Sequence, residues 1–274
     1  MKFLYCGDVV GRSGREAITR YLPDLRKKLD LDFVVVNGEN AASGFGITEK
    51  ICLGFYEAGA DCVVLGNHSF DQKDIMTYIA GDQRLIRPLN YPEGTPGRGA
   101  SAFKTRSGKT VLIVQVMGRV FMDPLDDPFA AVEKILKTGK LGQKYDFILV
   151  DIHGEATSEK MAMGHFCDGR VSAVVGSHSH VPTADVQILP GGSAYQTDAG
   201  MCGDYNSVIG MEKEEPIRRF TRKISAGRFT PASGPGTVCG FFVETDDKTG
   251  LTKAASAVRI GPRLQEAMPS NIGM

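Results

Sequence analysis

Apolar runs alternate with segments of helical periodicity along this chain. Eight short runs rich in β-branched and aromatic residues predict strands: FLYC (3–6), FVVVN (33–37), CVVLG (62–66), VLIVQV (111–116), FILVDI (147–152), AVVG (173–176), SAYQT (193–197) and GFFVET (240–245). Apolar residues near helical spacing predict amphipathic helices over residues 14–29, 48–59 and 127–138. Strands that are apolar throughout are buried on both faces, so the pattern predicts an α/β fold.

The second half of the chain is richer in predicted strands and hairpins, which favours mixed sheets. Two segments rich in proline and glycine, residues 88–99 and 225–237, lie between predicted strands and are predicted to be long loops. The sequence contains no internal repeat, low-complexity tract or charge run. We therefore expect a single domain over residues 1–274.

The composition of the chain limits which binding partners and which cellular compartment are expected for the protein. The 274 residues include 32 Lys plus Arg and 32 Asp plus Glu, and this balance does not favour long nucleic acid or an anionic membrane as a partner. No apolar run approaches ~18 residues, and no signal-peptide pattern opens the chain. The six cysteines are scattered without a CxxC pair, so we expect a cytoplasmic protein with reduced thiols in its core. Exposed loops such as residues 88–99 could carry a homo-oligomer interface.

Polar residues follow five of the predicted strands, usually beside a glycine. These residues are Asp8, Glu39 with Asn40, Asn67 with His68, Asp151 with His153, and His178 with His180. In open α/β sheets, ligands bind beyond the carboxyl ends of the strands. We therefore expect these side chains to lie close together.

Each of these residues also has an ordinary explanation. Asp8 could cap a helix, Glu39 and Asn40 could form a turn, and His153 could be a satisfied structural histidine. His178 and His180 are two positions apart, so in an extended backbone they would point to one face. Five turns that all carry metal-ligand types nevertheless predict a metal site.

The donor types indicate which metals fit. Carboxylates, an amide oxygen and imidazoles without a thiolate suit Mn, Fe, Co, Ni or Zn. The donors are too numerous for one ion, which favours two ions that hold the attacking and leaving oxygens of a phosphoryl transfer. A phosphate-binding loop at GDVVGRSG is excluded because GK[ST] is missing and Asp8 would face the phosphate. A Rossmann fingerprint is also missing from this turn.

Five stretches resemble the calcineurin-like metallophosphoesterases: GDVVG (7–11), NGEN (37–40), GNHSFD (66–71), DIHGE (151–155) and GSHSH (176–180). Val10 stands where that family has a histidine, and Glu39 replaces the usual bridging aspartate. These departures, with NGENAASGFGIT (37–48) and TDAGMCGDYNSVIG (197–210), are similar to the bacterial YmdB-type phosphodiesterases. Members of that branch act on cyclic nucleotides, notably 2′,3′-cyclic ones, with two iron or manganese ions.

The resemblance implies a fold and a ligand set. The fold would be a four-layer sandwich of two mixed β-sheets flanked by helices. Asp8, Glu39, Asn40 and His180 would hold the first metal ion, and Glu39, Asn67, His153 and His178 the second, with Glu39 bridging. The side-chain oxygen of Asn40 would replace the ligand that is missing at Val10.

The expected reaction is hydrolysis of a phosphodiester in a cyclic nucleotide, chiefly 2′,3′-cyclic and secondarily 3′,5′-cyclic. A hydroxide that bridges the two metal ions would attack phosphorus in line, and His68 would be the general acid. His68 could instead be a structural neighbour of the ligands. A phosphomonoesterase or protein phosphatase, and a regulatory nucleotide-binding protein with little turnover, are the competing functions.

Several other residues carry weaker expectations. Asp71, Asp151 and Asp198 either orient ligands or serve turns and caps. The loop from Ser43 to Thr48 either contacts phosphate or base or is a plain connection. His165, Arg12 and Arg15 are expected on the surface.

Overall fold

The computed structural model describes residues 1–270. Its strands, in chain order, are β1 (Lys2–Cys6), β2 (Asp8–Val9), β3 (Phe33–Asn37), β4 (Cys62–Val64), β5 (Leu85–Ile86), β6 (Ala100–Lys104), β7 (Thr110–Met117), β8 (Phe147–His153), β9 (Ala173–Ser177), β10 (Gln187–Ile188), β11 (Ala194–Gln196), β12 (Met201–Cys202), β13 (Val238–Thr245) and β14 (Thr252–Ile260). Its helices are α1 (Gly11–Lys28), α2 (Glu49–Glu57), α3 (Ile75–Gly81), α4 (Pro128–Leu136), α5 (Thr157–Cys167) and α6 (Glu214–Arg222).

All eight strands and all three helices predicted from the pattern are present, with shifts of a few residues at their ends. The two predicted long loops are also confirmed, because residues 88–99 separate β5 from β6 and residues 225–237 lie between α6 and β13. The pattern missed helices α3, α5 and α6, and strands β2, β5, β6, β10, β12 and β14. Most of the missed elements are short or largely exposed, and β14 has only one buried residue among nine, so their apolar periodicity is weak.

The larger strands form two six-stranded mixed sheets. The first has the order β14-β13-β1-β3-β4-β5, and the second has the order β10-β11-β9-β8-β7-β6. β1, β3, β4 and β5 run parallel in the first sheet, as do β7, β8, β9 and β11 in the second. Each sheet has antiparallel strands at its margins, which confirms the expectation of mixed sheets.

Apolar side chains point alternately to the two faces of the strands and form three apolar cores. Phe3 and Tyr5 of β1 face the second sheet, and the Phe3 ring stacks on Phe147 at 4.4 Å between centroids. Leu4 and Cys6 of the same strand face the opposite way and pack in the core that contains α1 and α2. The second sheet packs its other face against α4 and α5. The four layers are therefore helix, sheet, sheet and helix, and the predicted fold class is confirmed.

The single-domain expectation for residues 1–274 stays a prediction, and its last four residues lie outside the described part of the chain. All six cysteines are buried and free, which agrees with their expected role as small core residues. Within residues 1–270, none of the helices combines the length and the apolar character that crossing a bilayer requires.

Candidate metal centre

The seven predicted metal ligands converge at the carboxyl ends of the parallel strands. Two groups have ligand atoms within 4.8 Å of one another: Asp8, Glu39 and His180, and Glu39, His153 and His178. We call these the His180 cluster and the His153 cluster. Glu39 belongs to both. An asparagine side chain lies beside each cluster. Asn40 Oδ1 lies 3.2 Å from His180 Nε2, and Asn67 Oδ1 lies 2.9 Å from His153 Nε2.

Glycines beside these donors permit the close packing. A Cβ atom at Gly66 would lie 2.2 Å from Glu39 Oε2 and 2.5 Å from His153 Nε2. A Cβ atom at Gly7 would lie 1.8 Å from the carbonyl oxygen of Gly200. Any side chain at either position would collide with the donors or with the backbone that supports them.

The expectation that His178 and His180 lie in extended backbone is wrong. β9 ends at Ser177, and the two histidines have φ values of 99° and 64°. Such conformations cost on the order of 1–3 kcal/mol for a non-glycine residue and persist only where the surroundings impose them. The His178 amide donates to Asp8 Oδ2 at 3.3 Å, which is one of the contacts that impose this shape.

A buried ion pair supports the same loop. Lys160 of α5 donates to Asp198 Oδ2 at 2.8 Å, and both side chains are at most 1% exposed. The same carboxylate oxygen accepts hydrogen bonds from the backbone N–H and the hydroxyl of Ser179, which lies between the two histidines. The pair therefore anchors the turn that directs the imidazoles.

His153 is oriented by a polar network between the two sheets. Its Nδ1 lies 2.8 Å from Ser177 Oγ, and that hydroxyl donates to Asp151 Oδ1 at 2.9 Å. Asp151 Oδ2 accepts from the hydroxyl of Tyr5 at 2.7 Å and from Gln115 Nε2 at 3.3 Å. These contacts occupy Nδ1 and turn Nε2 of His153 towards the other donors.

His180 and Asn40 are oriented by backbone carbonyls instead. His180 Nδ1 lies 2.7 Å from the carbonyl oxygen of Ile209, so this nitrogen carries the proton and Nε2 is left free to bind a cation. The Asn40 amide donates to the carbonyl of Gly44 at 3.0 Å, which turns its oxygen towards His180. This is the orientation that an oxygen ligand requires.

Two buried oxygens test whether a cation fits. Asp8 Oδ1 and Glu39 Oε1 have no hydrogen-bond partner within residues 1–270, although both side chains are at most 1% exposed. Glu39 Oε1 lies 3.1 Å from His153 Nε2, without the geometry of a hydrogen bond. Unsatisfied buried carboxylate oxygens are costly in a protein interior, and a cation would satisfy both. The residues present therefore fit a metal centre.

The pKa values follow from the same crowding of charge. Burial raises the pKa of Asp8 to about 6 and that of Asp151 to about 7. Burial also acts to raise the pKa of Glu39, but the charge on His153 outweighs it and lowers that pKa to about 2.

The two histidines of the His153 cluster shift in opposite directions. Burial lowers the pKa of His153, but Glu39 and the nearby aspartates more than reverse this and raise it to about 9. Burial lowers the pKa of His178 to about 3, and the charge on His153 adds to this effect. A proton on His153 thus supplies the positive charge that the carboxylates require, which is the role a metal ion would take over.

His68 lies beside the clusters without belonging to either. Its backbone N–H donates to Glu39 Oε2 at 3.3 Å, and its Nδ1 lies 2.7 Å from Asp71 Oδ2. The Phe45 ring packs edge-on against the imidazole at 5.1 Å between centroids. The side chain is 25% exposed, so Nε2 of a fixed imidazole is available to a ligand at the centre.

Of the other residues singled out in the sequence, some contact the candidate centre and others lie on the surface. Asp71, Asp151 and Asp198 do contact residues of the centre, as described above. Arg12 is exposed and pairs with Glu16, whereas Arg15 is half-buried and its guanidinium donates to the carbonyl of Ala41, next to Asn40. His165 is exposed in the last turn of α5. The sequence reading missed Tyr5, Gln115, Ser177 and Lys160, whose only signal is a polar group inside an apolar strand or helix.

Two mixed sheets between helical layers, with donors from several strand ends at one edge, define a metallophosphoesterase-type protein. A family model described as "YmdB-like protein" matches residues 4–258. The chain belongs to this YmdB-like family. It is 45% identical over 260 residues to a protein of Bacillus subtilis (strain 168) named "2′,3′-cyclic-nucleotide 2′-phosphodiesterase", and the match covers 95% of this chain and 96% of the relative.

Two solved structures share the whole architecture. A hypothetical protein from Thermus thermophilus matches with a TM-score of 0.89 and 43% identity, over 96% of this chain and 100% of the other. A protein described as a novel phosphatase from Mycoplasma pneumoniae matches with a TM-score of 0.88 and 34% identity, over 95% of this chain and 93% of the other.

Proposed function

We propose that this chain is a metal-dependent phosphodiesterase that hydrolyses 2′,3′-cyclic nucleotides and, secondarily, 3′,5′-cyclic nucleotides. The observation that carries the proposal is the pair of donor clusters sharing Glu39, with unsatisfied buried oxygens on Asp8 and Glu39. The similarity to the Bacillus subtilis 2′,3′-cyclic-nucleotide 2′-phosphodiesterase supports the choice of substrate.

Asp8, Glu39, Asn40 and His180 would hold one ion, and Glu39, Asn67, His153 and His178 the other, with iron or manganese as the expected metals. Two such ions would supply Lewis-acid chemistry, which activates water and neutralises charge on the phosphoryl oxygens.

The remaining chemistry falls to the side chains around the centre. Hydrolysis adds water to phosphorus, breaks the bond to one ribose oxygen, and leaves a phosphomonoester and a hydroxyl group. The ribose oxygen is a poor leaving group and needs a proton. Asp71 accepts a hydrogen bond from Nδ1–H of His68, so a His68 that is also protonated at Nε2 would deliver the Nε2 proton to this oxygen.

The test compares chelator-stripped protein with the same protein after Mn²⁺ or Fe²⁺ is restored. We expect hydrolysis of bis-p-nitrophenyl phosphate and of 2′,3′-cyclic AMP only with metal, and a higher kcat/KM for these diesters than for p-nitrophenyl phosphate. A preference for the monoester would assign a phosphomonoesterase instead. Nucleotide binding without turnover under any of these metals would assign a regulatory binding protein.

The expected cytoplasmic location is part of the same proposal. Fractionation of cells that produce the full chain tests it, and recovery of the protein outside the cytoplasmic fraction would contradict it.

A further inference from the structure

A cavity of about 470 Å³ adjoins the candidate centre. One wall is the loop that follows Glu39 and Asn40, and it includes Phe45, whose ring also packs on His68. Gln72 fixes this loop by donating to the carbonyl of Phe45 at 2.6 Å. A cavity of this size is large enough for a nucleoside.

The opposite wall comes from the loop after α6. The Phe229 ring lies there, half-exposed, with the guanidinium of Arg219 stacked 3.9 Å from its centroid. Arg219 is held by Glu215 at 2.7 Å and by the carbonyl of Gly227. The neighbouring Arg228 also lines the cavity but has no carboxylate within 4 Å among residues 1–270. The wall thus presents an aromatic face and an unpaired cation.

The cavity opens onto an unusually basic segment. Residues 216–230 contain five Arg and Lys and no Asp or Glu, in a chain whose net charge is zero. Arg218, Arg222 and Lys223 of this segment are exposed and do not line the cavity. Phe220 lies among them with 82% of its surface exposed. We call residues 216–230 the basic segment.

This combination matches the chemistry of a single nucleic acid strand. Cations along a surface contact successive phosphates, and exposed aromatic rings stack on bases. A mononucleotide has one phosphate, and that phosphate would lie at the candidate centre. The three cations beyond the cavity would then have no partner, whereas a strand longer than one nucleotide would bring further phosphates to them.

We propose that the basic segment, with the cavity between Phe45 and Phe229, binds the 3′ end of a single-stranded oligoribonucleotide. The terminal 2′,3′-cyclic phosphate then reaches the candidate metal centre, and the terminal nucleoside occupies the cavity. This inference rests on the proposed function, because it names the form in which the cyclic phosphate is presented.

The first test measures binding alone. Fluorescence anisotropy would follow a labelled hexaribonucleotide with a 3′-phosphate on the full chain, both chelator-stripped and Mn²⁺-loaded. The triple variant Arg218→Gln, Arg222→Gln, Lys223→Gln should bind about tenfold more weakly. The slope of log K against log salt should fall by about 2, as expected for three lost contacts to a single strand. The matched control Arg20→Gln, Lys27→Gln, Lys28→Gln removes equal charge from exposed positions of α1 and should bind as the wild type does.

The second test measures turnover. The triple variant should lose about tenfold in kcat/KM for a hexaribonucleotide ending in a 2′,3′-cyclic phosphate and keep its kcat/KM for 2′,3′-cyclic AMP. Equal losses on both substrates, or unchanged hexaribonucleotide binding, would overturn the inference. Binding to anionic vesicles that the triple variant loses, without a change in RNA binding, would also overturn it and assign the segment to a membrane surface.

The two proposals fail in different ways. Hydrolysis of 2′,3′-cyclic AMP without hexaribonucleotide binding would leave the proposed function intact and overturn the strand surface. Hexaribonucleotide binding that depends on the basic segment, without hydrolysis of any diester, would support the strand surface and overturn the proposed function.

Discussion

The His180 cluster and the His153 cluster share Glu39 but are held in different ways. The His153 cluster rests on side chains between the two sheets, through Ser177 and Asp151. The His180 cluster rests on loop backbone, through the carbonyls of Ile209 and Gly44. The first is fixed by side chains that a substitution can remove, and the second by the path of the chain.

This difference indicates which ligand orientations a single substitution can disturb. A side-chain network can be cut one hydrogen bond at a time, so the orientation of His153 should depend on single residues. A carbonyl acceptor survives any substitution that preserves the backbone, so the orientation of His180 should depend on the loops as a whole. Glu39 is the point at which the two halves meet.

The largest effect is expected from Glu39→Gln, which removes the carboxylate common to both clusters. Metal content should fall from roughly two ions per chain to one or none, and diesterase activity should fall by at least about 10³-fold. Loss of a group that only orients a ligand already costs about 10–100-fold. Elemental analysis after Mn²⁺ loading checks the metal content, and a variant that retains both ions would show that Glu39 does not bridge.

His68→Ala changes a residue that belongs to neither cluster. Turnover of 2′,3′-cyclic AMP should fall by about 10²–10⁴-fold with metal content unchanged, because the ribose oxygen needs a proton. The loss for bis-p-nitrophenyl phosphate should be much smaller, because p-nitrophenolate leaves without one. His165→Ala is the matched control and should have no effect, since His165 is exposed in the last turn of α5. Equal losses on both substrates would assign His68 a structural role.

Lys160→Met tests the ion pair that supports the turn shared by the two clusters. Removing one partner leaves the buried carboxylate of Asp198 unpaired, which should lower the free energy of unfolding by about 3 kcal/mol. Urea unfolding of the chelator-stripped protein measures this. The double variant Lys160→Met, Asp198→Asn should recover part of the loss. A change of less than about 1 kcal/mol in the single variant would show that the pair does not anchor the turn.

Ser177→Ala cuts the network of the His153 cluster without touching the His180 cluster. Metal affinity should fall by about 10–100-fold at one of the two ion sites, because His153 loses the partner of its Nδ1. Ser179→Ala is the comparison variant, and its effect should be smaller because Asp198 keeps Lys160 and the Ser179 backbone N–H. Titration calorimetry that showed equal loss at both sites would remove the distinction between the clusters.

The fold and the donors could be predicted from the sequence because both leave local signals. Apolar runs mark the buried strands, and a strand end followed by glycine and a donor marks the edge where the clusters form. Asp8 and Glu39 follow this rule, whereas His153 is itself the last residue of β8 and precedes its glycine. The rule works because parallel strands place their carboxyl ends at one edge.

The residues that orient the candidate ligands could not be predicted in the same way. Tyr5 and Gln115 lie inside apolar strands. The packing of the two sheets brings Tyr5 to Asp151, and the pairing of β7 with β8 brings Gln115 there. The predicted extended backbone at His178 and His180 was wrong because the conformation of this turn depends on contacts with Asp8 and Asp198, which are distant in sequence. The basic segment also escaped notice, because a net charge of zero hides a local excess.

The measurement that tests the central claim most directly is anomalous diffraction from crystals of the Mn²⁺-loaded protein. We predict two manganese positions that both contact Glu39, one with Asp8, Asn40 and His180 and the other with Asn67, His153 and His178. A single position, or a pair in which Glu39 contacts only one ion, would contradict the two-cluster account.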